Sequence, residues 1–348
     1  MSYEYERPAA PVKALRLHLN ENTAGCSPRV MEALRQVTRE AVACYPDYGD
    51  VTAATARFFD VPADRVALTN GLDEGILAVA MAALRRTEPG TGDAIVVVPA
   101  FDMYAACAEA AGGRIVEVAM GPEFEFPLEA VLEAVTSRTR VIFLTNPNNP
   151  TGGLIPRTSL RTVAEQAPHA IVFIDEAYAD FSGATVLDDA GFTALAHVVV
   201  GRTFAKAYGL AGLRAGAIIG DPGTMDLIRR VLPPYSLNAF AVAALAAAME
   251  DAAYVDWYRR QVAQSKAMMY DAFDRLGVKH WKSAGNFVLI RLGEDAPAIT
   301  GALARLGVVV RDRSSDPACA GCVRVAAGVI DHTKTFLTAL EEVLCGAR

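Results

Sequence analysis

Residues 198–219 read VVVGRTFAKAYGLAGLRAGAII, in which two apolar runs enclose a loop of small residues. The first run is continuously apolar rather than alternating, which is typical of a strand buried on both faces of a parallel sheet. The loop carries Lys206 and Arg214 among alanines and glycines. Apolar neighbours disfavour the ammonium form of a lysine, and the neutral amine is the form that attacks a carbonyl carbon. Because Arg214 suits an anionic group, the loop predicts a site for a phosphorylated aldehyde.

Similar apolar runs recur before this stretch, and its own second run is also a predicted strand. Further strands are predicted at residues 66–69, 94–98, 115–118, 141–145, 171–174 and 217–219. Amphipathic helices are predicted between them and before them, at residues 28–43, 52–59, 74–83, 128–135 and 158–166. This alternation predicts an α/β fold, in which a large domain has a mostly parallel sheet flanked by helices.

The pattern changes after residue 234. A helical tract at residues 239–276 leads into short strands and a closing helix, predicted at 286–291, 308–311, 322–326 and 333–344. We expect a smaller α+β domain there. The predicted division is residues 1–44 as an N-terminal arm and part of the small domain, residues 45–238 as the large domain, and residues 239–348 as the small C-terminal domain.

Composition limits the possible classes of function. The chain has 348 residues, a net charge of −7 and 52% hydrophobic residues, which is typical of a two-domain globular enzyme. The acidic balance disfavours a nucleic-acid partner. The longest apolar run, at residues 239–249, is far shorter than the roughly 20 residues that span a bilayer, so no membrane association is expected. Residues 1–8 do not have the pattern of a secretory signal, and we expect a cytoplasmic protein.

Six cysteines are spread along the chain, and the only close pair is Cys319 and Cys322. A structural zinc site would need a second such pair or paired histidines, and the five histidines are scattered. We therefore expect reduced thiols and no metal.

Loops that follow strands are the candidate sites, because ligands of an open parallel sheet bind at the carboxyl ends of its strands. The turn at residues 70–75 opens a helix whose free N–H groups suit a phosphate, although a plain capped helix is equally consistent with it. The loop NPNNPTGG at residues 146–153 offers neutral amide donors for a phenolate oxygen. Asp175 ends an apolar run, and a buried carboxylate requires a partner, for which a protonated ring nitrogen is suitable.

Three of these segments in this order, NPTG at 149–152, DEAY at 175–178 and the loop from Lys206 to Arg214, resemble the pyridoxal-phosphate aminotransferases of the aspartate-aminotransferase fold, fold type I. The resemblance covers nearly the whole chain. Further segments are similar to the histidinol-phosphate aminotransferases within that family: LNEN at 19–22, SP at 27–28, YPD at 45–47, NGLDE at 70–74, LAGLR at 210–214, SAGNF at 283–287 and GCVRV at 321–325.

The resemblance implies a role for each matching residue. Lys206 would bind pyridoxal 5′-phosphate covalently and then move the substrate proton, with Asp175 pairing to the ring nitrogen. Tyr178, the third catalytic candidate, and Asn149 would hydrogen-bond the ring's 3-oxygen, and Phe101 would stack on the ring. The cofactor phosphate would contact Gly71, Leu72, Asp73, Thr203, Arg214 and, from the partner subunit of a homodimer, a residue equivalent to Tyr45.

The resemblance also implies the substrates. Arg324 would bind the carboxylate of glutamate and the phosphate of an imidazole substrate in turn. The secondary candidates for substrate binding are Arg311, Arg313, Asn286 and Asn22. The implied reaction transfers an amino group between histidinol phosphate and 2-oxoglutarate.

Two positions depart from the family pattern. Ala24 replaces a usual aromatic residue, and Ala205 replaces a frequent serine. An aromatic-amino-acid aminotransferase and a threonine-phosphate decarboxylase on the same fold therefore remain alternatives. A non-catalytic α/β protein would require the segments to coincide by chance.

Overall fold

The computed structural model describes residues 13–85, 88 and 90–346, so that residues 1–8 lie outside the described part of the chain. The strands in chain order are β1 (Leu15–Arg16), β2 (Val66–Asn70), β3 (Asp93–Val98), β4 (Arg114–Ala119), β5 (Thr139–Thr145), β6 (Ile171–Asp175), β7 (Val198–Thr203), β8 (Ala215–Gly220), β9 (Lys279–His280), β10 (Phe287–Arg291), β11 (Val308–Val309), β12 (Arg311–Asp312) and β13 (Cys322–Ala326).

The helices are interspersed among these strands. They are α1 (Pro28–Arg35), α2 (Arg39–Ala43), α3 (Gly49–Phe58), α4 (Gly71–Leu84), α5 (Met103–Ala110), α6 (Leu128–Ala134), α7 (Arg157–Gln166), α8 (Ala179–Ser182), α9 (Ala190–Thr193), α10 (Pro222–Arg229), α11 (Ala239–Glu250), α12 (Ala252–Leu276), α13 (Ala296–Arg305) and α14 (Ile330–Gly346).

A seven-stranded sheet in the order β2-β8-β7-β6-β5-β3-β4 dominates the fold. Its pairs are parallel except for those that β8 makes with β2 and β7. Side chains of β5 are buried on both faces, since Val141 and Phe143 pack into one core cluster while Ile142 and Leu144 pack into another. The α/β prediction and all seven strand predictions in this sheet are thereby confirmed.

A second sheet of four antiparallel strands has the order β12-β13-β10-β9. Its core includes residues of α12, α13 and α14 together with Leu17, so the N-terminal segment packs against the C-terminal part of the chain. A two-stranded parallel pair, β1 with β11, fixes this arrangement. The domain limits at residues 44/45 and 238/239 stay predictions.

Three predictions of one continuous element are wrong, because each of these elements is divided in two in the structure. The helix expected at 28–43 is two helices, because Thr38 is in extended conformation and caps α2 by accepting from the amide of Ala41. The tract at 239–276 breaks at Asp251, whose side chain caps α12. The strand expected at 308–311 is divided between β11 and β12, which belong to different sheets. The sequence interpretation also missed α5.

Within the described ranges no helix combines the length and the apolar character needed to cross a bilayer.

Candidate active site

Five segments that carry candidate residues converge at one edge of the large sheet. Thr145, Asp175 and Thr203 end the parallel strands β5, β6 and β7, so they lie at the same edge. Strand β8 runs the opposite way and begins just after Arg214, while its neighbour β2 ends at Asn70. The topology therefore brings the loops of the predicted site together, as expected for an open α/β sheet.

Asp175 lies at the centre of this edge and is 3% exposed. The hydroxyl of Tyr104 donates to its Oδ2 over 2.7 Å, and the amide of Ala177 donates to its Oδ1 over 2.9 Å. Thr145 in turn donates to the Tyr104 oxygen. No ion pair among the described residues includes Asp175. Burial raises the pKa of this carboxyl to about 6, because two neutral donors compensate only part of the lost hydration.

Lys206 follows β7 and is partly buried. Its Nζ donates to the carbonyl oxygen of Leu19 over 3.0 Å and lies 6.0 Å from the centre of the Tyr178 ring. Phe101 is partly buried and meets the Tyr104 ring edge-on, at 5.9 Å between centroids. The amine, the phenol and the phenylalanine ring therefore lie in the same region as Asp175.

The first turn of α4 carries the residues that the sequence predicts for an anion cradle. Asn70 makes no side-chain cap to this helix, so the amides of Leu72 and Asp73 have no capping acceptor from it. The guanidinium of Arg214 packs against the backbone of Gly71, where an added Cβ would come within 2.3 Å of Nη2. Gly71 has a φ of +73°, and this backbone conformation favours glycine, whereas the guanidinium is the end of a flexible side chain and could shift.

Arg214 and Thr203 complete this cradle. Arg214 Nη2 lies 2.9 Å from Asp73 Oδ2, and both side chains are close to half exposed, so the ion pair leaves the guanidinium accessible to an anion. Thr203 is buried, and its Oγ1 accepts from the amide of Ala205. A helix N-terminus, an arginine and a hydroxyl are a typical phosphate-binding set.

Arg324 on β13 is 6% exposed. Its Nη1 donates to Asn149 Oδ1 and its Nη2 donates to the carbonyl oxygen of His18. No carboxylate in the described part of the chain forms an ion pair with it, and its Nε has no partner there. Burial, with the nearby charges of Arg313 and Arg311, lowers the pKa of Arg324 to about 10. A buried cation without a counterion indicates an anion-binding site.

The secondary substrate candidates differ in their surroundings. Arg311 lies directly opposite Arg324 in the register of β12 and β13, so the two arginines share a face. Arg313 is buried against Asp316 and lies 3.6 Å from Asp102, and its charge is therefore already compensated. Asn286 is fully buried, donates to the carbonyl oxygen of Asn20 and leaves Oδ1 without a partner among the described residues.

The hydrogen bonds of Asn22 and the ring contact of Tyr45 lie outside this set of groups in the single chain. Asn22 donates to the carbonyl oxygen of Ala207 and accepts from the amide of Ala24, so both of its polar groups are bonded to backbone. Tyr45 is 77% exposed and stacks on Tyr235 at 4.2 Å between ring centroids. Ala24 is exposed to solvent.

Two parts of the chain that bond to the candidate site residues were not predicted from the sequence. Tyr104 is the phenol bonded to Asp175, and residues 18–20 bond to Arg324, Lys206 and Tyr178 in succession. Tyr104 stands in the same PAFDMY segment as Phe101, which is a local signal for it. The backbone carbonyls of His18 and Leu19 have no such signal, because any residue offers a carbonyl.

The residues fit the cofactor that the sequence resemblance implies. Asp175 is a buried carboxylate without a cation, and a protonated ring nitrogen would supply one. The start of α4 with Arg214 suits a phosphate, and Lys206 is the amine for an aldehyde. In the described residues, no group of three or more His, Cys, Asp or Glu side chains is arranged to hold a metal ion.

Comparison with known proteins gives the same family. The family model "Aminotransferase class I and II" matches residues 12–340. Histidinol-phosphate aminotransferase 1 of Cupriavidus pinatubonensis is 35% identical over 342 residues, which cover 95% of this chain and 88% of the relative. Histidinol-phosphate aminotransferase 2 of Pseudomonas aeruginosa is 36% identical, with 96% and 90% covered.

A solved structure is also similar along nearly the whole chain. The crystal structure of histidinol-phosphate aminotransferase from Sinorhizobium meliloti in complex with pyridoxal-5′-phosphate superposes with a TM-score of 0.87 at 26% identity, covering 96% of this chain and 92% of that one. The chain therefore belongs to the class I and II aminotransferases, a family of pyridoxal-phosphate-dependent transaminases.

Proposed function

We propose that this aminotransferase acts on L-histidinol phosphate, with 2-oxoglutarate and glutamate as the other substrate pair, in histidine biosynthesis. The observation that carries the choice is Arg324, a buried guanidinium without a carboxylate partner in the described part of the chain. The names and full-length similarity of the relatives support the same substrate.

Pyridoxal phosphate, when bound, supplies an electron-withdrawing ring that stabilises negative charge developing at the substrate α-carbon. Asp175 would hold a proton on the ring nitrogen, and its own hydrogen bonds to Tyr104 and Ala177 fix the carboxylate in place. The first turn of α4, Thr203 and Arg214 would bind the phosphate. Asn149 and Tyr178 would contact the 3-oxygen.

Lys206 would carry the covalent attachment and the proton transfer. Its Nζ is held at 3.0 Å from the carbonyl oxygen of Leu19, which restricts where the amine can point. With the cofactor and substrate bound, the amine of Lys206 would be the base that takes the proton from the substrate α-carbon, and its ammonium form would be the acid that delivers this proton to the cofactor carbon instead.

Arg324 and Arg311 would bind the substrate anions. They lie opposite each other on adjacent antiparallel strands, so two cations share one face above the Asn149 loop. A planar guanidinium donates to a carboxylate or to a phosphate with similar geometry, which allows glutamate and histidinol phosphate to bind in turn. We assign Asn286 to the substrate carboxylate.

A homodimer in the cytoplasm is part of the proposal. Tyr45 is an exposed aromatic on the connection between α2 and α3, with Val42 and Tyr235 exposed as well. Such a patch suits contact with a second copy of the chain, where Tyr45 would reach the partner's phosphate site. All six cysteines are free thiols, which is compatible with a reducing compartment.

A single half-reaction tests the substrate. The purified holoenzyme is mixed with L-histidinol phosphate alone, and the absorption band of the lysine-bound cofactor is followed. We expect this band to disappear and to return when 2-oxoglutarate is added. If histidinol phosphate leaves the band unchanged and an aromatic amino acid removes it, the activity is that of an aromatic-amino-acid aminotransferase. Release of carbon dioxide from threonine phosphate would indicate the decarboxylase.

A further inference from the structure

Asn20 combines deep burial with an unusual backbone conformation. It is 1% exposed, and its φ of +55° lies in the left-handed region, which few residues other than glycine adopt. Asparagine tolerates this region better than most residues. Its Oδ1 has no hydrogen-bond partner in the described part of the chain. Such strain and incomplete satisfaction in a buried residue are typical of functional sites.

The carboxamide of Asn20 contacts Tyr178. Its Nδ2 donates to the Tyr178 hydroxyl oxygen over 3.0 Å. An amide nitrogen can only donate, so this bond occupies the oxygen as an acceptor and leaves the hydroxyl hydrogen for another partner. The phenol itself is buried and packs edge-on against Phe287 at 5.0 Å between centroids, which restrains the ring.

The backbone leading into Asn20 is anchored by three hydrogen bonds to its carbonyl oxygens. The carbonyl oxygen of Asn20 accepts from Asn286 Nδ2 over 3.1 Å, and the preceding carbonyl, of Leu19, accepts from Lys206 Nζ over 3.0 Å. The carbonyl oxygen of His18 accepts from Arg324. The segment is therefore held at three successive residues, and the Asn20 carboxamide has a fixed direction.

We propose that Asn20 is a positioning residue that orients the hydroxyl of Tyr178 so that its hydrogen is donated to the 3-oxygen of the cofactor. Donation to that oxygen favours its negative charge and lowers the pKa of the protonated Schiff base that Lys206 forms. Asn20 acts through Tyr178 and does not itself touch the cofactor. The proposal rests on the cofactor part of the proposed function and is independent of the identity of the substrate.

The test is a spectroscopic pH titration of the holoenzyme. Asn20→Gly removes the donor and keeps a residue that accepts a φ of +55°. We expect the pKa of the bound cofactor to rise by up to about one unit, because complete loss of the hydrogen bond from Tyr178 to the charged oxygen would cost about that much. Asp60→Gly is the matched control, since Asp60 has a φ of +53° and is exposed. It should titrate like the unmodified protein.

A double-variant cycle shows whether the effect passes through the phenol. In a Tyr178→Phe background, Asn20→Gly should cause no further shift. An equal shift in both backgrounds, or no shift in Asn20→Gly alone, would overturn the proposal. Thermal melting of each apoenzyme reports any change in the fold.

Asn20→Asp tests the direction of the bond and replaces Asn20→Gly if the glycine variant does not fold. A carboxylate can only accept, so it would turn the hydroxyl hydrogen toward residue 20 and raise the cofactor pKa further. An aspartate variant that titrates like the unmodified protein would contradict the assigned direction. If the unmodified protein itself takes up no pyridoxal phosphate, the proposed function fails rather than the role of Asn20.

Discussion

Asp175 and Glu176 are adjacent in the chain and almost completely buried, yet they lie in two different regions of the molecule. Glu176 belongs to an internal polar cluster, where its carboxylate accepts from Thr185, from the amide of Val186 and from Arg202. Asp175 faces the sheet edge, and among the described residues it accepts only from Tyr104 and the amide of Ala177. Burial raises the pKa of both carboxyls, but only Glu176 has a cation that offsets the shift.

This difference distinguishes a carboxylate that stabilises the fold from a carboxylate that is available to a ligand. A buried carboxylate that accepts from an arginine and two further donors needs no ligand, because the protein itself compensates its charge. A buried carboxylate that accepts from two neutral donors has its charge fully compensated only when a ligand supplies a cation. Arg324 is the corresponding case of opposite sign, since it is a buried guanidinium with neutral acceptors. We propose that together the two charges mark where ligands bind, which burial alone does not.

The largest expected effect is on the ligand-facing side. Lys206→Ala should reduce turnover by at least about 10⁴-fold, because one amine serves both covalent attachment and proton transfer. The fold should be retained, since the bond of Nζ to Leu19 is the only hydrogen bond lost within the described part of the chain. Steady-state assays with circular dichroism check this, and Lys282→Ala, on an exposed lysine, is the matched control. Turnover at the control's level would refute the role of Lys206.

Asp175→Asn should lower kcat by about 10² to 10³-fold without preventing folding. The amide cannot balance a protonated ring nitrogen, so negative charge at the substrate carbon is less stabilised. Single-turnover rates with a saturating donor measure the loss. A variant that keeps the unmodified rate would show that the buried carboxylate has no part in the chemistry.

Glu176→Gln should have the opposite effect, lowering the free energy of unfolding while leaving kcat nearly unchanged. Removal of this charge leaves Arg202 with Asp180 as its remaining acidic partner, and breaking a buried pair typically costs about 3 to 5 kcal/mol in the free energy of unfolding. We expect the lower end, because Asp180 still compensates Arg202. Urea unfolding gives the stability, and the kcat of the folded fraction should change little. Loss of activity without loss of stability would contradict the assignment of Glu176 to the architecture.

The smallest effect is a pH dependence of the apoenzyme. The folded pKa of Asp175, about 6, exceeds the ordinary carboxyl value of 3.8, so the folded state binds the proton more tightly than the unfolded chain. The contribution of this group to stability therefore falls as pH rises from about 4 to about 7, by at most about 3 kcal/mol, and is constant above that.

Comparison with apo Asp175→Asn isolates this contribution. The difference in the free energy of unfolding between the two apoenzymes should change across that pH range and nowhere else. A difference that is the same at pH 4 and pH 7 would mean that Asp175 is already compensated without the cofactor. Saturation with pyridoxal phosphate should remove the dependence.

The sequence predicted most of the large sheet and the residues that follow its strands. Continuous apolar runs identify strands whatever covers them. Asp175 ends one such run, and Asn149 and Lys206 lie in the loops that follow two others. The helix breaks at Thr38 and Asp251 were missed because a side chain that can cap a helix can also lie within one. The contacts of Tyr104 with Asp175 and of Asn20 with Tyr178 join residues 71 and 158 positions apart, and no local pattern encodes them.

The protonation of the cofactor ring tests the contrast between the two carboxylates most directly. Pyridoxal phosphate labelled with ¹⁵N in its ring is bound to the unmodified protein, to Asp175→Asn and to Glu176→Gln, and the nitrogen chemical shift is recorded by NMR near pH 7.5. We predict a protonated nitrogen in the unmodified protein and in Glu176→Gln, and an unprotonated nitrogen in Asp175→Asn. A protonated nitrogen in Asp175→Asn, or an unprotonated one in the unmodified protein, would contradict the role of Asp175.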